Sequence, residues 1–401
     1  MCQPFRSGQY AEIASNNIVP ISFIFDNIDK LMQPDFPLEG YEALRGSVWV
    51  AEYFGRVSHL HSYVAYRPQM KQLVAATSGT SSATQAVQDL RTLYHRHRSG
   101  RGVVHSGFWA LYKGVRDLVY AGIAKGFRDH PDAEELVITG HSMGGAVSYL
   151  LVMDALLGKI SLPPNCKLKL VSFGSPRVGD EAFVKYWREL RTSFREKHEF
   201  TEHCVKAYND GVPSLPPLSF GYRHFTETPL YLIHGRLYNV PPSESEFSLF
   251  FADPGPSPDQ PIDYPKGGHN YYNGRDMERV LRRLRWLDKA MGGRSDWVKH
   301  YQKHASRHLT PSARDLKEGL PTSSSSMTLP AGQGSRQKRL SRYLSPSPCG
   351  GDSKLREGLP LASSSSMTLQ EGLPPIVSGP PLALDISVLE LSSSQNQSEL
   401  R

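Results

Sequence analysis

The chain of 401 residues is short of cysteine, of long apolar runs and of apolar residues in general. Its four cysteines, Cys2, Cys166, Cys204 and Cys349, form no CxxC pair and no Cys/His cluster. This usage supports neither a disulfide-stapled scaffold nor a metal site of the familiar spacing. No stretch approaches the roughly 18 uninterrupted apolar residues of a spanning helix. The first residues, Met-Cys-Gln-Pro-Phe-Arg-Ser, carry no apolar leader after their charge. From these absences the expectation is a soluble, cytoplasmic protein. No phosphate loop, dinucleotide fingerprint, zinc finger, RNP motif or helix-turn-helix pattern is present, so neither a cofactor nor a nucleic-acid partner is expected.

The net charge of +7 and pI near 9.1 suit an anionic partner. Much of the positive charge sits at scattered helical positions such as Arg279, Arg282, Arg283 and Arg285, which read as a solvated basic face. The hydrophobic share of 39% is low, and the C-terminus explains why. Residues 310–401 hold the runs Ser323–Ser326 and Ser363–Ser366, many prolines and an imperfect repeat. Leu-Lys-Glu-Gly-Leu-Pro at 316–321 returns as Leu-Arg-Glu-Gly-Leu-Pro at 355–360, and a third Glu-Gly-Leu-Pro starts at Glu371. Such a segment is too polar to bury a face and reads as a disordered tail. The expected organisation is a polar lead over 1–18, a globular part over 19–309 and the tail over 310–401.

Within the globular part, Gln72–Thr77, Glu135–Thr139 and Leu168–Phe173 read as buried strands, and Cys204–Tyr208 as a weaker one. Phe108–Lys125 and Gly144–Leu157 have helical spacing. Strand and helix in alternation predict an α/β protein whose mostly parallel sheet is covered on both faces. The last clear helix, Arg275–Met291, repeats Met277, Val280, Leu281, Leu284, Leu287 and Met291 at i, i+3, i+4 spacing. Its stripe is expected to dock on the sheet rather than lie in a membrane surface.

Gly140-His-Ser-Met-Gly144 directly follows the second strand. A strand-to-helix turn that lifts a serine hydroxyl clear of a sheet strains the serine backbone and crowds the positions two residues either side. Glycine there removes the clash. By composition alone a G-x-S-x-G occurs in roughly a tenth to a fifth of chains this long. The strand before it and the helix after it give it weight, and Ser142 becomes the candidate nucleophile.

Here the sequence resembles the class 3 (fungal-type) triacylglycerol lipases, over roughly Tyr63 to Trp286. The family's Thr-Gly-His-Ser-Leu-Gly-Gly-Ala appears as Thr139–Ala146 with Met143 for Leu. Its Phe-Gly-x-Pro-Arg-Val-Gly is Phe173–Gly179, its Asp-x-Val-Pro-x-Leu-Pro-Pro is Asp210–Pro217, and its His before an aromatic is His269-Asn-Tyr-Tyr272. Upstream the match weakens. Where the family has Phe-Arg-Gly-Thr/Ser, this chain has Thr77-Ser-Gly-Thr80, although Asp89-Leu90 and Val104-His-Ser-Gly-Phe108 follow as expected. The resemblance implies an α/β-hydrolase fold, a serine ester hydrolase and a first oxyanion donor at Thr80. The lost arginine, replaced by Ser78, removes a structural anchor for that loop.

Serine needs an adjacent base, and histidine titrates near working pH. A carboxylate then fixes the imidazole tautomer. The order Ser, Asp, His of α/β-hydrolases is met by Ser142, Asp210 and His269. Asp253 and Asp263 also precede His269, and His224 and His234 also follow Asp210. Asp210 is preferred because it follows a strand, and His269 because Gly267-Gly268 set it in a loop. His141, beside the candidate nucleophile, is read as structural and is assigned no role in the chemistry. The Met143 amide, at the start of the helix, would face developing negative charge beside Thr80.

The resemblance points to acylglycerols, hydrolysed through an acyl-serine at a lipid–water interface without a cofactor. The family's lid falls on Ser81–Gly102, polar at first, basic at its end and only modestly apolar at Ala86, Val87, Leu90 and Leu93. That leaves a soluble-ester or feruloyl-type esterase as the enzymatic alternative. A catalytically silent scaffold, with the tail as its working part, is the other reading.

Overall fold

The computed structural model describes residues 3–79, 94–233, 236–248, 250, 268–272, 277–292, 294–309 and 345–346. All of these belong to the unit Met1–Gly351. The expected tail lies outside the described residues, apart from Ser345–Pro346.

The three apolar runs form adjacent strands: β3 (Gln72–Thr77), β6 (Glu135–His141) and β7 (Lys167–Phe173). They pair in parallel, and β9 (Phe200–Ala207) and β11 (Leu230–Ile233) extend the parallel set. Ahead of β3, β1 (Val48–Phe54) and β2 (His61–Arg67) are antiparallel, and beyond β11 so are β12 (Arg236–Asn239) and β13 (Ser345–Pro346). The full order is β1-β2-β3-β6-β7-β9-β11-β12-β13. A second, antiparallel sheet joins β4 (Tyr94–Arg96), β5 (Val103–His105), β8 (Gly179–Asp180) and β10 (Tyr222–Arg223).

Because side chains alternate along a strand, each apolar run feeds two cores. Leu73, Ala75, Leu136, Ile138, Leu168 and Leu170 face one layer. This layer holds α4 (Ser106–Asp129), α5 (Met143–Leu156) and α6 (Glu181–Arg195). Val74, Ala76, Val137, Val171 and Phe173 face the other. On that side lie α1 (Gln3–Ala14), α2 (Ile21–Asp26), α3 (Ile28–Leu31), α7 (Met277–Met291) and α8 (Trp297–Leu309).

The expected polar lead is not a lead. Residues 3–14 form α1, with Tyr10, Ala11, Ile13 and Ala14 buried. Two of its polar residues, Gln9 and Glu12, are themselves buried and bonded. The Gln9 amide holds Gly40 O at 3.3 Å and accepts from the Ala43 N–H at 2.9 Å. Glu12 accepts from the Tyr41 hydroxyl at 2.6 Å.

Candidate functional site

β6 stops at His141, and Ser142 turns the chain into α5 with φ 58° and ψ −127°, a region a side chain enters only when its surroundings enforce it. The Ser142 N–H is tied to Phe173 O at 2.8 Å. A Cβ on Gly140 would overlap the backbone of Gly144, and one on Gly144 would overlap the Thr77 carbonyl. Both glycines of the motif are thus required by close approach. The Met143 amide opens α5, where helical geometry supplies no i−4 carbonyl to receive it.

β9 ends at Ala207, and after Asn209 at φ 60° the chain delivers Asp210, buried, to the same end of the sheet. Its Oδ1 accepts from the Val212 N–H at 2.9 Å. Its Oδ2 accepts from His269 Nδ1 at 2.9 Å and from the Tyr272 hydroxyl. A carboxylate oxygen can only accept, so His269 carries a proton on Nδ1 and directs Nε2 elsewhere. Nε2 is buried without a hydrogen-bond partner. Gly268 N–H to Tyr208 O at 2.8 Å fixes the loop. Tyr272, fully buried, also receives the Ala207 N–H at 3.1 Å, and burial with Asp210 nearby drives its pKa well above the usual phenol value. Gly174, at φ 57°, leaves room for this pair: a Cβ there would lie 2.8 Å from the Tyr272 hydroxyl and 2.9 Å from Asp210 Oδ2.

His141, read from sequence as structural and given no role in the chemistry, spans the two halves. Its Nε2 proton is donated to His269 O across 2.7 Å, and the two rings lie 4.4 Å apart. Burial, then the neighbouring His269, pushes its pKa down to about 3, so the ring is neutral. Position immediately before the nucleophile was the one signal available. Tyr272 was visible only as the aromatic closing a motif.

Of the other candidates, Thr80, Asp253, Asp263 and His234 lie outside the described residues. His224 is described, and its Nε2 is taken by Pro213 O at 2.8 Å in a buried setting. Gly79, one residue before Thr80, is described: a Cβ there would stand 3.1 Å from both His141 O and Ser142 Cβ. The segment entering residue 80 therefore runs over the elbow. Ser78, where the resemblance led to an expected arginine, is held by the neighbouring strand. Ser78 is buried, its N–H donates to His61 O at 2.9 Å, and its Oγ accepts from His61 N–H at 3.2 Å. His61 in turn bonds Ala14 O at 2.7 Å and Glu52 at 2.8 Å.

Of the expected lid, residues 81–93 lie outside the described residues, and its basic end is ordered structure. Tyr94–Arg96 is β4, His95 stacks on Trp109 at 5.1 Å, and Arg101 pairs with Glu189 at 2.6 Å.

The structure thus brings Ser142 on its strained turn and a His269 oriented by Asp210 to one end of the sheet, with His141 bonded to the His269 backbone. Residues 74–220 match the model of the family described as Lipase (class 3). The chain is 30% identical over 169 residues to a lipase of Rhizopus niveus, covering 42% of this chain and 41% of that protein. It is 34% identical over 163 residues to secreted mono- and diacylglycerol lipase A of Penicillium cyclopium, covering 40% and 48%. To secreted mono- and diacylglycerol lipase 1 of Fusarium solani it is 29% identical over 190 residues, covering 47% and 52%. The chain thus spans about half the length of these relatives or less. A structure of Rhizopus niveus lipase II superimposes with a TM-score of 0.45 at 22% identity, covering 57% of this chain and 80% of that one.

The relatives overturn the cytoplasmic expectation. Two of them are named as secreted, which points to the extracellular side. Sparse cysteine was one of the absences behind that expectation, yet the free thiols Cys166 and Cys204 are buried and behave as small apolar side chains in any compartment. Among the described residues no helix is long and apolar enough to cross a membrane.

Proposed function

We propose that this protein is a serine carboxylic-ester hydrolase acting on acylglycerols at a lipid–water interface. The observation that carries the reading is His269, oriented by Asp210 and left with a free, buried Nε2 in the structure that also holds the strained Ser142. In this reading His269 Nε2 removes the Ser142 proton as Oγ attacks the ester carbonyl. The resulting oxyanion is received by the Met143 N–H and by Thr80. Collapse breaks the ester C–O bond, and the imidazolium protonates the departing glycerol oxygen. Water, deprotonated by the same histidine, then releases the fatty acid from the acyl-serine. Asp210 stays ionised and holds the imidazole tautomer throughout. None of these steps calls for a cofactor.

The names of the Rhizopus, Penicillium and Fusarium relatives support acylglycerols as the substrate class. Titration of fatty acid released from long- and short-chain glycerides, beside Ser142→Ala, tests it. Long-chain release by the wild type and a loss of at least about a thousandfold in the variant uphold the reading. Hydrolysis confined to short soluble esters replaces it with an esterase, which the modestly apolar segment 81–102 favours. No ester turnover at all removes the enzyme reading.

A further inference from the structure

The positive charge of this chain is concentrated in one helical hairpin. Between Met277 and Leu309 stand nine lysines and arginines against three acids, most of the excess behind the net +7. The apolar stripes of α7 and α8 are spent on the protein's own core through Val280, Leu284, Leu287, Tyr301 and Ala305. What remains outward is charge. On α7, Arg282, Arg285 and Lys289 recur at i, i+3, i+7 and are exposed; on α8, Lys299, Lys303 and Arg307 do so at i, i+4, i+8. None of these six is in an ion pair among the described residues. Arg283, the buried exception, is bonded to Phe36 O at 3.0 Å and paired with Glu39. Of the acids, Asp296 pairs with His300 at 3.2 Å and Glu278 bonds Asn270 at 3.0 Å, leaving Asp288 beside the row.

Between the helices Trp286 stacks on His308 at 5.2 Å and meets His304 edge-on at 5.4 Å. His304 feels the convergence: burial and then His308, Lys289 and Arg307 hold its pKa below the ordinary value. Unpaired like charges on adjacent helices repel one another, and an isolated fold gains nothing by gathering them.

We propose that the outer face of α7 and α8 docks the protein on an anionic lipid surface. This rests on the acylglycerol reading, since a hydrolase of interfacial substrate gains local concentration from any contact with that interface. The charges suit it: two rows of cations attract anionic headgroups, and Trp286 is of the side-chain type that settles at headgroup depth. With no free apolar stripe the attachment is electrostatic and reversible by salt.

The test is sedimentation of the full chain with ether-linked phosphatidylcholine vesicles, with and without phosphatidylserine, at low and high salt. Ether lipids keep hydrolysis out of the measurement. Binding to the phosphatidylserine vesicles alone, lost at high salt, is expected. Each neutralised cation should weaken it roughly fivefold, from about 1 kcal/mol per basic residue at such a surface. Arg282→Gln, Arg285→Gln, Lys303→Gln and Arg307→Gln together should cost at least about a hundredfold. The same variant should cleave a water-soluble ester as the wild type does, which also reports that it is folded. Equal binding by variant and wild type, or no preference for phosphatidylserine, overturns the proposal. So does retention on heparin without vesicle binding, which would make the face a polyanion site. Loss of ester cleavage by the wild type itself would instead sink the hydrolase reading and leave the vesicle result to stand separately.

Discussion

His141 donates its Nε2 proton to the carbonyl of His269 across 2.7 Å, joining the residue before the candidate nucleophile to the candidate base. The two come from segments 128 positions apart, and the bond fixes one backbone against the other. Because the ring is buried and its pKa depressed to about 3, it stays neutral and adds no repulsion when His269 takes a proton. His141→Leu keeps volume but removes the donor. The expected result is a kcat lower by roughly tenfold to a hundredfold, the scale of small misplacements, with KM little changed. His141→Gln, which restores an N–H, should recover part of it. Steady-state kinetics on a soluble ester decide this.

Tyr272 supplies one of three hydrogen bonds to Asp210. Tyr272→Phe leaves the carboxylate with two and frees the Ala207 N–H. A bond to a charged group contributes about 1.5–3 kcal/mol. Thermal unfolding should therefore show a loss on that order, and kcat a fall of about tenfold through a less firmly held His269. Unchanged values of both would remove Tyr272 from the account.

The elbow glycines make a structural prediction. Gly144→Ala drives a methyl into the Thr77 carbonyl and Ser78 backbone, neither of which can move freely inside the sheet. A loss of about 1–3 kcal/mol or more and of all ester cleavage is expected. Gly211→Ala, whose Cβ meets nothing within 4 Å and whose φ is −83°, is the matched control and should be nearly neutral.

The fold was legible where burial acts on continuous apolar runs. Gln72–Thr77, the strand before Ser142 and Leu168–Phe173 lie at the sheet centre, and each puts apolar residues on both faces. It was illegible where polar residues are buried by partners distant in sequence. β2 carries His61 and Ser62, both buried, with bonds to Ala14 and Thr77. β9 begins four residues before the expected Cys204, because Glu202 is neutralised by Arg191 on α6. In the site, motif spacing brought out Ser142, Asp210 and His269. It gave His141 only as structural and Tyr272 only as the aromatic closing a motif, because their partners depend on chain crossing in space. Ser78 has its partner in His61, 17 positions away, which a local motif comparison does not reveal.

Acid should destabilise this protein through His141. Its pKa falls from an ordinary 6.5 unfolded to about 3 folded, so the unfolded chain binds the extra proton between those values. Stability is then complete above about pH 6.5 and declines as pH drops toward 3, with a slope approaching about 1.4 kcal/mol per pH unit from this residue. His224, also depressed by burial, adds in the same direction. Denaturant midpoints across that window should show a shallower decline in His141→Leu. An identical slope would mean His141 is charged or exposed in the native state.

The most direct measurement of the central claim is intact-protein mass spectrometry after treatment with a long-chain alkyl fluorophosphonate, followed by peptide mapping. The account predicts one adduct per chain, located on Ser142, absent in Ser142→Ala and formed far more slowly in His269→Ala. A folded protein that gains no adduct, or gains it on another residue while Ser142→Ala still cleaves ester, would contradict it.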